Sequence, residues 1–269
     1  MKKTLALVTS LALVVFAVGC GGGGEKKAAT GDTGMAKAPA TQAAPATTPV
    51  AAASVAMNAS IKGKIAFEGA APKAVAIKMD ADPVCKGLHK EPVYSQEVVV
   101  NSNSTLRWVM VYVKDGLGSR TFPTATEPVI LDQVGCHYEP HVFGMMANQP
   151  LEIRNSDNTL HNIHAMPTVN TQFNIGMPRA GMKQTKTFKE VELPVHFKCD
   201  VHKWMSCYTG VFSHPFYAVT GEDGSFEIKG LPAGTYTIEA WHEKYGAQTM
   251  SVTVGDSEMK EVTFTFKAA

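Results

Sequence analysis

Two stretches decide how this sequence is read. The first is Asn155-Ser156-Asp157-Asn158-Thr159-Leu160-His161-Asn162-Ile163-His164; the second, 38 residues after His161, is Cys199-Asp200-Val201-His202-Lys203-Trp204-Met205. A Cys, a His and a Met separated by two residues each fit on one turn between two strands, where all three side chains can face one point. His161, at a neighbouring strand end, completes a set of one thiolate, two imidazoles and one thioether. That is the donor set of a blue-copper electron-transfer site. Met is a poor zinc ligand and no carboxylates converge in the sequence, which disfavours zinc. Cys207 follows Met205 rather than preceding His202, which disfavours a dinuclear copper pattern. His161 and His164 point to opposite faces of an extended segment, so one ion takes only one of them. The plain alternative is that Cys199, His202 and Met205 are ordinary core and surface residues.

Outward from these stretches the chain reads as strands. Gly (23), Pro (15) and abundant Val and Thr, with 18% charged residues, favour a β-rich protein with many turns. Ile61 to Phe67 alternates apolar and lysine positions. Further strands are expected at Val98–Val100, Arg107–Val113, Pro150–Arg154, Thr185–Val191, Val195–Cys199 and Tyr208–Phe212. Ser225–Ile228 and Thr235–Ala240 follow, and Thr249–Val254 and Glu261–Phe266 flank Gly255-Asp256 as a predicted hairpin. No long amphipathic helix emerges, so the fold class is all-β, built of sandwiches.

The balance of 25 Lys+Arg against 24 Asp+Glu gives a net charge of +1, which excludes a typical nucleic-acid binder. Lys2 and Lys3 precede an apolar run, Leu5 to Val18, that reads as a secretory signal. It ends in Ala17-Val18-Gly19-Cys20, which resembles a bacterial lipoprotein processing site with Cys20 as the lipidated residue. Ordinary secretion with a free Cys20 is the alternative. Gly21 to Asn58 is mostly Gly, Ala, Thr and Pro, and predicts a disordered tether with a reach of roughly 35 Å. The expected location is the bacterial cell envelope, periplasmic or on the outer face, with the membrane held through the lipid.

Val219-Thr220-Gly221-Glu222-Asp223-Gly224-Ser225-Phe226 and Gly230-Leu231-Pro232-Ala233-Gly234-Thr235-Tyr236 resemble the small transthyretin-like sandwich called the carboxypeptidase regulatory-like domain. Ile61–Ile65 and Trp108–Val113 look like its missing opening strands, which predicts one sandwich interrupted by an insertion. The residues from 136 to about 213 resemble a cupredoxin, a Greek-key sandwich, and the short ligand turn is most similar to the amicyanin type. Tyr138-Glu139-Pro140 and Pro150-Leu151-Glu152-Ile153-Arg154-Asn155 look like the opening strands of plastocyanin-like domains, with Asn148 where a turn Gly is usual. This resemblance implies one type 1 copper ion held by His161, Cys199 and His202, with Met205 as the weak axial ligand. It implies that Asn162 ties the two ligand loops together around the sulfur. It also implies an apolar patch beside the emerging histidine edge, where Trp204 and Met166 would let electrons leave. Met145, Met146, Met177 and Met182 either enlarge that patch or fill the core.

The expected domains are a signal at 1–19, the lipidated Cys and linker at 20–58, an N-terminal β module at 59–135, the copper domain at 136–214 and a regulatory-like module at 215–269. An oxidising compartment suits a disulfide, and Cys85–Cys136 would staple the first module to the second at about 4 kcal/mol by loop entropy, with Cys207 still open as a partner. His214 and His242 are either strand-end residues or a second site; His137 and His141 lie near the copper or serve the scaffold. His196 reads as a surface histidine, and His89 has no supporting pattern. The function expected is single-electron transfer between a redox donor and an acceptor protein, without enzymatic bond-making. Cu(I) delivery or storage is one alternative, and a binding or adhesion module that has lost its metal is the other.

Overall fold

Alternating apolar residues set the architecture of this all-β chain. The computed structural model describes residues 56–268; the signal, Cys20 and almost all of the linker lie outside them. The first elements are β1 (Ala59–Glu68), the short helix α1 (Pro83–Leu88) and β2 (Met110–Asp115). Then come β3 (Val129–Val134), β4 (His137–Glu139), β5 (Val142–Met146), β6 (Leu151–Asn155), β7 (His161–Met166) and β8 (Phe173–Met177). They are followed by β9 (Met182–Lys186), β10 (Glu192–Lys198), β11 (Ser206–Phe212) and β12 (Tyr217–Val219). The chain closes with β13 (Ser225–Leu231), β14 (Gly234–His242), β15 (Gly246–Val254) and β16 (Met259–Lys267). Among the described residues no helix is long and apolar enough to cross a membrane.

Both ends of the described chain build one sandwich. Its sheets run β13-β1-β16 and β12-β2-β14-β15, with β1 parallel to β16 and antiparallel to β13. Inward positions of β1 (Ile61, Ile65, Phe67) meet Phe226, Ile238, Val252, Phe264 and Phe266 in its core. The hairpin expected of Thr249–Val254 and Glu261–Phe266 does not form. β15 pairs with β14 while β16 pairs with β1, so the turn after Val254 carries the chain from one sheet to the other. Val252 and Val254 on one strand, and Phe264 and Phe266 on the other, are all buried in that same core. The two strands therefore face each other across it instead of pairing edge to edge. Val98–Val100 forms only a bridge from Val100 to Leu106, and the strand expected at Thr185–Val191 runs instead over Met182–Lys186.

The second sandwich has a five-stranded sheet, β5-β11-β10-β7-β8, and a four-stranded sheet, β4-β3-β6-β9. It begins before the expected residue 136, because β3 pairs in parallel with β6 and antiparallel with β4. Nor is 59–135 a module of its own: β1 and β2 enter the first sandwich, whereas Ile77, Met79, Cys85 and Val93 pack against the core of the second. Asn148 takes a left-handed φ of 66°, a conformation Asn tolerates better than most residues, which explains how it serves in a turn where Gly is usual. The two sandwiches meet over Trp108, Met110, Val142 and Phe212, flanked by Tyr208, Tyr217 and Trp241. Gly144 is needed there, since a Cβ at that position would lie 2.4 Å from the Tyr217 ring.

His214 and His242 do not converge. His214 Nε2 lies 2.9 Å from the Val113 carbonyl oxygen, and Val113 pairs with Ile238, four residues along β14 from His242. His242 is fully buried; its Nδ1 accepts from the Lys244 amide at 3.0 Å and its Nε2 has no partner. Burial, reinforced by nearby His141, pushes its pKa down to about 4 from an ordinary 6.5. Between those values the unfolded chain binds the extra proton and the folded one does not, so stability is complete above pH 6.5 and falls as pH drops toward 4. The effect is about 3 kcal/mol. His242→Asn keeps an acceptor for Lys244 and removes the titration. Urea midpoints measured from pH 7 to pH 4 should fall less steeply in this variant, and an unchanged slope would refute the assignment.

Candidate metal centre

The turn between β10 and β11 is folded by its own backbone. The Cys199 amide donates to the Met205 carbonyl at 3.1 Å, and the Met205 amide donates to the His202 carbonyl at 2.9 Å. The His202 amide points at Cys199 Sγ, 3.3 Å away. Those bonds set the Cys and His side chains on one side of the turn, facing the first residue of β7. His161 Nδ1 is 3.0 Å from His202 Nδ1, and Cys199 Sγ is 3.9 Å from the same His202 nitrogen. One donor atom from each of the three residues lies within 4.8 Å of the others, and all three residues are buried. Met205, in the same turn, is buried as well. His164 faces away, with Nδ1 3.0 Å from Asp200 Oδ2.

What orients the two imidazoles is a pair of carboxylates. Asp157 Oδ2 lies 2.9 Å from His161 Nε2, and Asp82 Oδ2 lies 2.9 Å from His202 Nε2. Each ring that donates its outer N–H to a carboxylate presents Nδ1 inward as a lone pair, which fixes the tautomer a metal requires. Asp157 is itself held by the amides of Gly135 and Cys136 at 2.8 and 2.7 Å. Asp82 caps α1, accepting from the Val84 and Cys85 amides at 2.7 and 3.2 Å, and takes a further bond from Thr159 Oγ1 at 3.1 Å. Asn162 Oδ1 accepts from the Asp200 amide at 2.7 Å and lies 3.3 Å from Cys199 Sγ, so it does join β7 to the ligand turn around the sulfur.

The charges follow from these contacts. Burial would push Cys199 up, but hydrogen bonds from His161 and from the backbone amides of Asn162, His202 and Val201 outweigh it and hold the thiol below its ordinary range. Burial likewise works against a charged His161, yet Asp157 and Cys199 raise its pKa to about 9. Desolvation of Asp82 is overcome by its bonds to His202, Cys85, Val84 and Thr159, which lower it to about 2. The same contacts favour loss of the Cys199 proton, and an entering cation would displace the protons that these groups hold. The buried Cys199 sulfur and two inward ring nitrogens, with a thioether in the same turn, make a donor set suited to one soft transition-metal ion. Neither clamping carboxylate is among the donors that converge inside the site.

Sequence reading missed Asp82 and Asp157. Asp82-Pro83 carries the signature of a helix start, an N-cap Asp followed by Pro at the first helical position. Asp157 sits four residues before His161, but nothing in its spacing marks a turn that folds back on the ring. The expected electron-exit patch is corrected by the same region. His202 is only 3% exposed, with α1 across its outer edge and Cys85 Sγ 3.6 Å from Nε2, so no histidine edge emerges. Trp204 is half-buried, its Nε1 donating to the Cys136 carbonyl at 3.0 Å and its ring 5.0 Å from that of His202. Met166 is exposed at the end of β7 opposite His161, while Met145, Met146 and Met177 are buried in the interior.

Cys85 and Cys136 form a disulfide, and Cys207 is a free buried thiol on β11. His137, His141 and His196 line a cavity of about 670 Å³ beside Met205 and Trp204. His141 pairs there with Glu243 from the first sandwich, and His196 stacks on Tyr208 at 4.7 Å. His89 Nε2 is 2.8 Å from the Gly135 carbonyl oxygen, a structural contact.

Comparison with known proteins adds three findings. The family model of the carboxypeptidase regulatory-like domain matches residues 211–267. No curated protein matches the chain. Among solved structures, the Cu(I) form of an amicyanin variant is 17% identical, over 38% of this chain and 97% of that one, with a TM-score of 0.29. A purple cupredoxin from Nitrosopumilus maritimus is 17% identical, over 30% of this chain and 97% of that one, with a TM-score of 0.27. A copper-containing nitrite reductase from Thermus scotoductus SA-01 is 17% identical over 36% of this chain but only 26% of its own length, with a TM-score of 0.28. These are weak similarities of fold.

Asp157→Asn keeps the shape of the His161 clamp and removes its charge. Metal affinity, measured by competition with a chelator, should fall 10- to 100-fold, the usual cost of losing such a partner. Unchanged affinity would mean that Asp157 does not orient the ring.

Proposed function

We propose that this protein is an extracytoplasmic, lipid-anchored type 1 copper protein that carries single electrons between a donor and an acceptor protein. The observation that carries this reading is the buried grouping of His161 Nδ1, His202 Nδ1 and Cys199 Sγ, with both outer ring nitrogens fixed on carboxylates. Copper bound there would supply one-electron chemistry. The chain's own contribution is to hold three donors on strand ends and a hydrogen-bonded turn, so that little rearranges when the charge of the site changes. Met205 is assigned the weak axial place, and Asn162 steadies the sulfur by fixing the ligand turn. The cover over His202 means that a partner docks on α1 or Trp204 and not on the ring itself. We assign no bond-making step. Storage or delivery of Cu(I) is the second reading, favoured by how deeply this cover encloses the donors.

The test uses the full chain. Added Cu(II) should give a strong visible thiolate-to-copper absorption and a reversible one-electron wave, and Cys199→Ser should abolish the absorption. Met205→Gln should retain copper and lower the reduction potential, whereas loss of all copper would contradict a weak axial role. A wild-type chain that binds only Cu(I), releases it readily to a chelator and shows no reversible wave would replace electron transfer with delivery.

A further inference from the structure

The disulfide lies against the outer edges of both site histidines. Cys85 Sγ is 3.6 Å from His202 Nε2, and Asp82 Oδ2 is 2.9 Å from the same nitrogen. Asp82, Cys85 and His202 thus place one donor atom each within 4.8 Å of one another, on the side of the ring opposite Cys199. Cys136, the other half of the bridge, sits in the same way with Asp157 and His161. A tetrahedral ion with bonds of about 2.3 Å to sulfur and 2.0 Å to nitrogen holds those two atoms about 3.5 Å apart. The separation of Cys85 Sγ and His202 Nε2 already matches that edge. Both cysteines are fully buried, while the Asp82 side chain is 20% exposed and leaves a way in from solvent.

We propose that the Cys85–Cys136 disulfide masks a second metal site, formed on its reduction by Cys85, Cys136, Asp82 and His202 Nε2, for a thiophilic closed-shell ion such as Zn(II) or Cu(I). The opening step needs a dithiol reductant. Its two sulfurs give two electrons and two protons to the bridge; the Cys85–Cys136 bond breaks, two thiols form, and the reductant leaves as its own disulfide. The ion then displaces the thiol protons and the Nε2 proton to solvent. Two thiolates, a carboxylate and an imidazole make a four-donor set selective for soft ions over Mg(II) or Ca(II). His202 would serve both sites, Nδ1 toward the inner one and Nε2 toward the outer. The metal capacity of the chain thereby depends on the thiol state of its cover. The proposal rests on the copper reading only through that shared ring.

Zinc binding by the full-length Cys199→Ser variant isolates the outer site, since the inner set has lost its thiolate. After reduction with a phosphine and anaerobic removal of the reductant, this variant should bind one equivalent of Zn(II) more than its oxidised form. Bound zinc should slow alkylation of Cys85 and Cys136 at least tenfold, as read by peptide mass mapping. Equal zinc content in the two states, or alkylation that zinc leaves unchanged, overturns the proposal. So does a reduced chain whose far-UV signal is lost and is not restored by zinc. In the wild-type background, Cys85→Ser/Cys136→Ser should show no reduction-dependent zinc; an extra equivalent there overturns the assignment of donors. Copper binding by the oxidised wild type is read separately, so failure of the inner centre and failure of the outer one give different results.

Discussion

The two carboxylate–imidazole contacts are the constraint on which the centre depends. A histidine ring has two nitrogens, and a lone pair is directed at the ion only if the proton is kept on the other one. Asp157 and Asp82 keep it there for His161 and His202. Each carboxylate is then anchored by backbone amides: Gly135 and Cys136 for Asp157, Val84 and Cys85 for Asp82. Charge-assisted bonds of this kind offset the desolvation of a buried carboxylate, and removal of either partner would leave an uncompensated charge. Four parts of the chain separated by long stretches of sequence, near residues 82, 135, 160 and 200, are therefore fixed around one point.

This explains why the covering segment cannot be treated as an ordinary loop. α1 has six residues and would not be stable alone. It is held at one end by the Asp82 cap and the His202 contact, and at its middle by the Cys85–Cys136 bond. Closing a 51-residue interval restricts the unfolded chain by about 4 kcal/mol on the loop-entropy estimate. The same link places a sulfur against His202, so one covalent bond serves both the stability of the fold and the shielding of the candidate centre.

Much of the site was legible because it is local. Cys199, His202 and Met205 lie on one turn, and such spacing survives into the structure with little help from elsewhere. Strand alternation let only one of His161 and His164 face the ion, and the cupredoxin resemblance selected His161; in the structure His161 is buried while His164 meets Asp200. The all-β class followed from runs such as Ile61 to Phe67, whose buried and less buried positions alternate as read. What failed was long-range. No local pattern says that β16 pairs with β1 rather than with its neighbour β15, because both strands bury one face and either pairing satisfies the period of two. Asp82 was invisible for the same reason: it reaches His202 across 120 positions of sequence, and only the tertiary fold brings them together.

The interleaving of the two sandwiches gives that long-range organisation its purpose. The segment over the metal centre leaves the first sandwich after β1 and returns to it at β2, and β1 is locked between β13 and β16 from the other end of the chain. Its two ends are therefore fixed by a sandwich that completes only when the C-terminal strands are in place. Fifty-odd residues of regulatory-like sequence alone would make a thin sandwich; β1 and β2 from the N-terminal side each supply a central strand to one of its two sheets and carry the cover between them. Junction residues such as Trp108 and Tyr217 then set how that completed sandwich meets the sheet carrying β11, where the ligand turn ends. The position of Asp82, and with it the direction of the His202 lone pair, is in this sense a property of both sandwiches and not of the one carrying the candidate ligands alone.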